Sequence, residues 1–206
     1  MNYTIFDTPV LRNFFRGISN LILFFAGWKS EGIKPEVKKC VIIAAPHTSN
    51  WDLPLALIFA FHFKIKIYWL GKDSLFKAPF NQFFKWLGGI PINREKKSQV
   101  VNQSIEYFEH FPELSLMVPP SGTRASVTKW KTGFYYIAHG AKVPIVLGFL
   151  DYKRKIGGLG PLFYPTGDYE KDIKEIKTFY SSIEGRYKHI QNVEEEDSVM
   201  PIKTED

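Results

Sequence analysis

The segment Pro46-His47-Thr48-Ser49-Asn50-Trp51-Asp52 joins two apolar runs of different kinds. The run before it, residues 40–45, is short and rich in β-branched residues, which predicts a buried strand. The run after it, residues 53–61, is longer and rich in Leu and Ala, which favours a helix packed on a sheet. We therefore expect His47 to follow the end of a strand and Asp52 to stand in the first turn of a helix.

A histidine and an aspartate placed in this way can form a hydrogen-bonded pair. Five positions apart on one helix they would point roughly 140° away from each other, so contact requires His47 to lie in the loop. The carboxylate would then accept the Nδ1 proton and leave Nε2 free to take a proton from a hydroxyl group. The alternative is that Asp52 only caps the helix, because Ser49-Asn50-Trp51-Asp52 also fits a capping pattern.

The composition is that of one soluble globular domain with an unusual share of aromatic residues. The 206 residues are 45% hydrophobic and 23% charged, and 16% are aromatic, including 18 Phe. A formal net charge of +6 implies an acidic partner, which could be nucleic acid, an anionic membrane or a phosphorylated substrate. The single cysteine, Cys40, lies in the predicted buried strand, so we expect neither a disulfide framework nor a catalytic thiol.

The chain divides into three predicted segments. Residues 1–30 contain an amphipathic helix that could lie in a membrane interface or pack on the protein's own core. Its longest uncharged run, residues 17–28, is well short of the ~20 residues needed to cross a bilayer. Residues 31–192 form the main domain, and residues 193–206 form an acidic tail that we expect to be disordered.

Strands and helices alternate along the main domain, which predicts an α/β sandwich. Further strands are predicted at residues 66–70, 90–92, 114–118, 143–149 and 162–164, and helices at residues 76–87, 98–110, 134–139 and 168–183. Two loops that follow strands carry arginines, Arg94 and Arg124, which suit an anionic ligand. A third basic stretch, Lys153-Arg154-Lys155 with Gly157, Gly158 and Gly160, is predicted to be a loop.

Four blocks together resemble the glycerophospholipid acyltransferase family, of the lysophosphatidate acyltransferase type. They are His47-x4-Asp52, Gly89-Ile90-Pro91-Ile92-Asn93-Arg94, Pro120-Ser121-Gly122-Thr123-Arg124 and Val143-Pro144-Ile145-Val146. The resemblance covers about residues 40–149 and implies a single-domain α/β sandwich with a mixed, mostly parallel sheet flanked by helices. One departure is Ser121, which stands where the family has Glu and puts the identity of the acceptor in doubt.

The resemblance also implies an activity and a set of site residues. His47 would be the general base and Asp52 its orienting carboxylate, while Arg94, Ser121, Gly122, Thr123 and Arg124 would bind the acceptor. The expected reaction is transfer of an acyl group from acyl-CoA or acyl carrier protein to an anionic lysolipid, at the cytoplasmic face of a membrane to which the protein is peripherally bound. We expect no metal, no bound cofactor and no nucleic-acid partner.

An alternative interpretation assigns the same fold to a protein with little catalytic activity. The altered third block would suit a catalytically weak, basic module that binds lipid at a membrane surface. The intact His47 and Asp52 argue against that alternative.

Overall fold

A computed structural model describes residues 3–93, 97–121 and 130–187. In these residues seven strands form one sheet: β1 (Lys29–Glu31), β2 (Lys39–Ala45), β3 (Ile67–Lys72), β4 (Gly89–Ile92), β5 (Leu114–Val118), β6 (Ile145–Asp151) and β7 (Ile156–Phe163). The helices are α1 (Pro9–Ala26), α2 (Asp52–Phe63), α3 (Asn81–Trp86), α4 (Lys97–His110), α5 (Gly133–Gly140) and α6 (Tyr169–Tyr180), with short 3-10 turns at Ile5–Asp7 and Asp73–Phe76.

The sheet is mixed and mostly parallel, as predicted. Its strand order is β1-β7-β6-β2-β5-β3-β4. The five strands from β6 to β4 run parallel, whereas β7 pairs antiparallel with β6 and β1 follows the direction of β7. The loops that leave β2, β4, β5 and β6 therefore emerge at one edge of the sheet, where ligands bind in open α/β folds.

The side chains of β2 alternate between two apolar layers. Val41 and Ile43 belong to a core covered by α4, α5 and α6, whereas Cys40 and Ile42 belong to a core covered by α1, α2 and α3. The sheet is thus enclosed between two layers of helices, which confirms the predicted α/β sandwich. Cys40 is completely buried, and this burial raises the pKa of its thiol to about 11.

Helix α1 packs on α2 through a narrow face and leaves its widest apolar face exposed. Phe15 stacks on Phe61 at a centroid distance of 5.5 Å, and the Asn20 Oδ1 atom lies 2.8 Å from Nδ1 of His62 in α2. The exposed apolar residues are Val10 (79% exposed), Phe14 (59%), Leu21 (57%), Phe24 (76%) and Phe25 (79%). Among the described residues, no helix is long and apolar enough to span a bilayer.

The prediction of a basic loop at residues 153–160 is wrong from residue 156 onward. Strand β7 begins at Ile156 and includes Gly157, Gly158 and Gly160, so the strand predicted at residues 162–164 is much longer than expected. These glycines allow close packing: a Cβ at Gly158 would lie 2.0 Å from the carbonyl oxygen of Glu31, and one at Gly157 would lie 2.3 Å from the Phe59 ring. Glycine in a strand here marks close approach of the neighbouring strand β1 and of helix α2.

Candidate active site

The structure places His47 and Asp52 in contact at the edge of the sheet. Strand β2 ends at Ala45, His47 lies in the loop, and Asp52 is the first residue of α2. The imidazole Nδ1 lies 2.9 Å from Asp52 Oδ2, and the side chains are 20% and 8% exposed, respectively. A nearly buried carboxylate is therefore paired with a histidine that solvent and ligands can still reach.

The Asp52 carboxylate accepts hydrogen bonds on both of its oxygens. Oδ2 accepts from the backbone N–H groups of Thr48 (2.8 Å) and Ser49 (2.9 Å), in addition to its contact with His47. Oδ1 accepts from the Tyr152 hydroxyl at 2.7 Å. The alternative that Asp52 only caps the helix is therefore wrong, because its carboxylate contacts the imidazole, and its backbone partners, Thr48 and Ser49, belong to the loop before α2.

The charge state of Asp52 determines the tautomer of His47. Burial raises the pKa of Asp52, but hydrogen bonds from His47, Tyr152 and the Ser49 N–H outweigh it and hold the pKa below its usual value. An ionised carboxylate can only accept, so Nδ1 carries the hydrogen of this contact. The other ring nitrogen, Nε2, then has a free lone pair and can accept a proton from a ligand.

A cavity of about 200 Å³ opens beside the pair. His47 and Asp52 form part of its wall, and all other lining residues are aliphatic, aromatic, Met, Pro or Gly. They include Ile42, Leu53, Ala56, Phe59, Ile67, Trp69, Leu70, Met117, Phe149 and Leu159. The cavity is larger than the roughly 150 Å³ apolar cavity that accepts a benzene ring, so it can hold part of a hydrocarbon chain.

Comparison with known proteins identifies the family. The family model described as Acyltransferase matches residues 29–146, which is more than half of the chain. The chain belongs to the Acyltransferase family. A solved structure with a similar fold is the 1-acyl-sn-glycerophosphate (LPA) acyltransferase PlsC from Thermotoga maritima, with 16% sequence identity and a TM-score of 0.60 over 82% of this chain and 76% of that chain. No curated protein sequence matches the chain.

The remaining predicted site residues of this acyltransferase are only partly described. Ser121 is 8% exposed and stands three residues beyond the end of β5, at the same edge of the sheet as His47. Arg94, Gly122, Thr123 and Arg124 lie outside the described residues, so their roles stay predictions. In the described part of the chain, no group of three or more His, Cys, Asp or Glu side chains could hold a metal ion.

Sequence reasoning missed the contact of Tyr152 with this site. Tyr152 is separated from Asp52 by 100 positions and follows directly after β6, next to the basic stretch at residues 153–155. Strand β6 lies beside β2, with Phe149 opposite Ala45, so both strands deliver their loops to one edge. A correct prediction that β2 pairs with β6 would have placed Tyr152 near Asp52.

We predict that Asp52→Asn lowers the free energy of unfolding by about 1–3 kcal/mol at pH 7, because a charged acceptor of several hydrogen bonds is lost. The folded-state pKa of Asp52 is depressed, so its stabilisation is complete above the unfolded pKa near 3.8 and disappears as the pH falls through the folded value. Urea unfolding at pH 7, 4 and 3 should therefore show the difference between wild type and variant narrowing below about pH 4.

The control is Glu175→Gln, which neutralises an exposed carboxylate on α6. It should change stability by less than about 0.5 kcal/mol at each pH. A wild-type advantage over Asp52→Asn that stays constant down to pH 3 would contradict the assignment of Asp52 as a carboxylate held ionised by its neighbours.

Proposed function

We propose that this acyltransferase moves a fatty acyl group from a thioester of coenzyme A or acyl carrier protein to a hydroxyl of a lysophospholipid or related glycerolipid. The observation that carries the proposal is the His47–Asp52 pair in the wall of an otherwise apolar cavity. The cavity suits the hydrocarbon chain of a donor, and the pair suits activation of a hydroxyl. The similarity to the Thermotoga maritima protein supports the fold that places them together.

In the proposed reaction His47 acts as the general base. Nε2 takes the proton of the acceptor hydroxyl as its oxygen attacks the thioester carbonyl carbon, and Asp52 stabilises the imidazolium that forms. The new C–O bond forms, the C–S bond breaks, and the imidazolium returns the proton to the departing thiolate. A thiolate leaves readily, so deprotonating and positioning the hydroxyl is the main task of the protein.

The headgroup of the acceptor is proposed to be anionic and held by Arg94 and Arg124. This assignment rests on the resemblance of their blocks to the family pattern, in which Ser121, Gly122 and Thr123 would shape the loop around the second arginine. The strand ends are consistent with it, because β4 ends at Ile92 and β5 at Val118 on the edge where β2 delivers His47. A guanidinium group can bind a phosphate through two parallel hydrogen bonds.

The proposed location is the cytoplasmic face of a membrane, with α1 as the contact. Its exposed face carries Phe14, Leu21 and Phe25, and the chain has a net charge of +6. Apolar burial in the interface and attraction to anionic lipids would act together on such a surface. Because α1 packs on α2, the contact would bring the site close to its lipid substrates.

The function is tested by the release of coenzyme A from acyl-CoA donors of graded chain length in the presence of lysophosphatidate, other anionic lysolipids and neutral lysolipids. We expect release that depends on an anionic acceptor.

In Ala56→Leu, the larger side chain enters the cavity, so kcat/KM for the longest accepted donor should fall about tenfold while kcat/KM for shorter donors is unchanged.

The matched control is Ala141→Leu, which adds the same bulk at a half-buried position outside the cavity and should leave the chain-length preference unchanged. An identical shift in both variants would contradict the assignment of the cavity as the binding site for the hydrocarbon chain of the donor. If none of the lysolipids accepts an acyl group although the protein binds anionic vesicles, the lipid-binding module becomes the better interpretation.

For the membrane contact, we predict that the double substitution Phe14→Glu and Phe25→Glu weakens binding to phosphatidylglycerol vesicles at least tenfold, because two apolar side chains are lost and two negative charges are added. Vesicle co-sedimentation measures the change. The control is a single substitution, Tyr164→Glu, at a position 62% exposed beyond β7. If the double variant binds the vesicles as tightly as the wild type does, α1 is not the membrane contact.

A further inference from the structure

Tyr152 reaches the catalytic pair from a different part of the chain. It directly follows β6, and its hydroxyl donates to Asp52 Oδ1 at 2.7 Å. This is the carboxylate oxygen that His47 does not use, because the Nδ1 contact is to Oδ2. The two oxygens of one carboxylate are thus held by two side chains that approach from β2 and from β6.

The position of the Tyr152 side chain is itself restrained. Its ring meets the indole of Trp28 at a centroid distance of 5.2 Å and an interplanar angle of 85°, and Trp28 in turn contacts Phe59 in the cavity wall. The Tyr152 backbone N–H donates to the Glu184 carbonyl at 2.9 Å. A hydroxyl on a restrained ring can fix the orientation of its acceptor, since little rotational freedom is left to either group.

The neighbouring turn is fixed as well. Asp151, which is 1% exposed, accepts hydrogen bonds from the backbone N–H of Arg154 at 3.0 Å and from its Nε at 2.6 Å. Residues 151–154 are therefore tied together directly beside Tyr152.

The Tyr152 hydroxyl is a permanent donor. Burial and the adjacent Asp52 carboxylate raise the pKa of Tyr152 far above its usual value, and the nearby charge of Arg186 opposes this only in part. The group therefore stays protonated at every pH at which a histidine base works, and an ionised Asp52 can only accept from it.

We propose that Tyr152 is a positioning residue for acyl transfer, which holds the Asp52 carboxylate so that Oδ2 faces His47 Nδ1. The inference rests on the proposed function, since it acts through the general base. Without the hydroxyl, Oδ1 would lose this donor in a nearly buried position, and only the contacts of Oδ2 with His47, Thr48 and Ser49 would still restrain rotation about the Cβ–Cγ bond. The imidazole would then lose the fixed partner that directs Nε2 towards the hydroxyl.

The test compares Tyr152→Phe with Tyr135→Phe, which is a closely matched control. The Tyr135 hydroxyl also donates to a buried aspartate, Asp172 Oδ2, at 2.8 Å, but on the other side of the sheet. Each variant removes one hydroxyl and keeps the ring, so both should lower the melting temperature by a few degrees. Only Tyr152→Phe should reduce kcat, by about 10- to 100-fold, with little change in the KM for oleoyl-CoA and lysophosphatidate presented on phosphatidylglycerol vesicles.

A second measurement needs no substrate. The proton shared between His47 Nδ1 and Asp52 should give a far-downfield ¹H NMR resonance, assigned by its loss in His47→Ala. Tyr152→Phe should shift or broaden this resonance, and Tyr135→Phe should leave it in place. A purely structural role for Tyr152 would lower the melting temperature without moving the resonance.

Comparison of Tyr152→Phe with His47→Ala separates the positioning role of Tyr152 from the general-base role of His47. If Tyr152→Phe keeps the wild-type kcat and resonance while His47→Ala is inactive, the inference about Tyr152 is overturned and the proposed function stands. If His47→Ala retains full activity, the proposed general base is wrong, and the positioning role of Tyr152 is overturned with it.

Discussion

The Asp52 carboxylate is a charge that has been moved out of water, since Asp52 is only 6% exposed. Such a group costs several kcal/mol to bury unless donors replace its hydration shell. Here the donors are two backbone N–H groups of the loop, the imidazole of His47 and the hydroxyl of Tyr152. The loop before α2 and the turn after β6 therefore both stabilise the ionised carboxylate, and an ionised carboxylate leaves the Nε2 lone pair of His47 free in its neutral form.

The strand order of the sheet determines which loops lie next to each other, and it therefore brings the donors of Asp52 together. Strands β2 and β6 are neighbours and run parallel, so His47 and Tyr152 leave the sheet at one edge. Helix α2 begins at that edge with Asp52 and passes over the sheet, with the apolar cavity between them. Close approach of Phe59 to Gly157 lets this helix pack tightly on β7. Helix α1 packs on α2 in the same layer, and its exposed apolar face is the proposed membrane contact.

The sequence was most informative where a feature is local. A short β-branched run, a polar loop and a longer Leu-rich run were enough to predict β2, the His47 loop and the beginning of α2, and strand β5 matches its predicted range, residues 114–118. The periodicity of α1 predicted a helix but could not tell which face would be covered, because the choice depends on its partner α2. There, Asn20 contacts His62 and Phe15 stacks on Phe61, whereas Phe14, Leu21 and Phe25 are left exposed.

Features that depend on contacts between residues far apart in the chain could not be predicted from local sequence patterns. Strand β1 is a three-residue edge strand without apolar periodicity, and its position depends on β7. The glycines of β7 indicated a loop, although they serve close packing against Glu31 and Phe59. The contact of Tyr152 with Asp52 spans 100 positions and has no local pattern at all, because it exists only once β6 has paired with β2.

His47 is proposed to activate the acceptor hydroxyl for direct attack on the thioester, without a covalent acyl-protein intermediate. Ser121, in the third block, is the side chain that a covalent route would use, since a serine nucleophile paired with a histidine base is a common solution for acyl transfer. Intact-protein mass spectrometry after incubation with oleoyl-CoA alone separates the two routes most directly. Direct transfer predicts an unchanged protein mass until lysophosphatidate is added, after which acylated lipid forms only when His47 is present. An increase in protein mass by one oleoyl group with the donor alone, mapped to Ser121 and released by the acceptor, would contradict it.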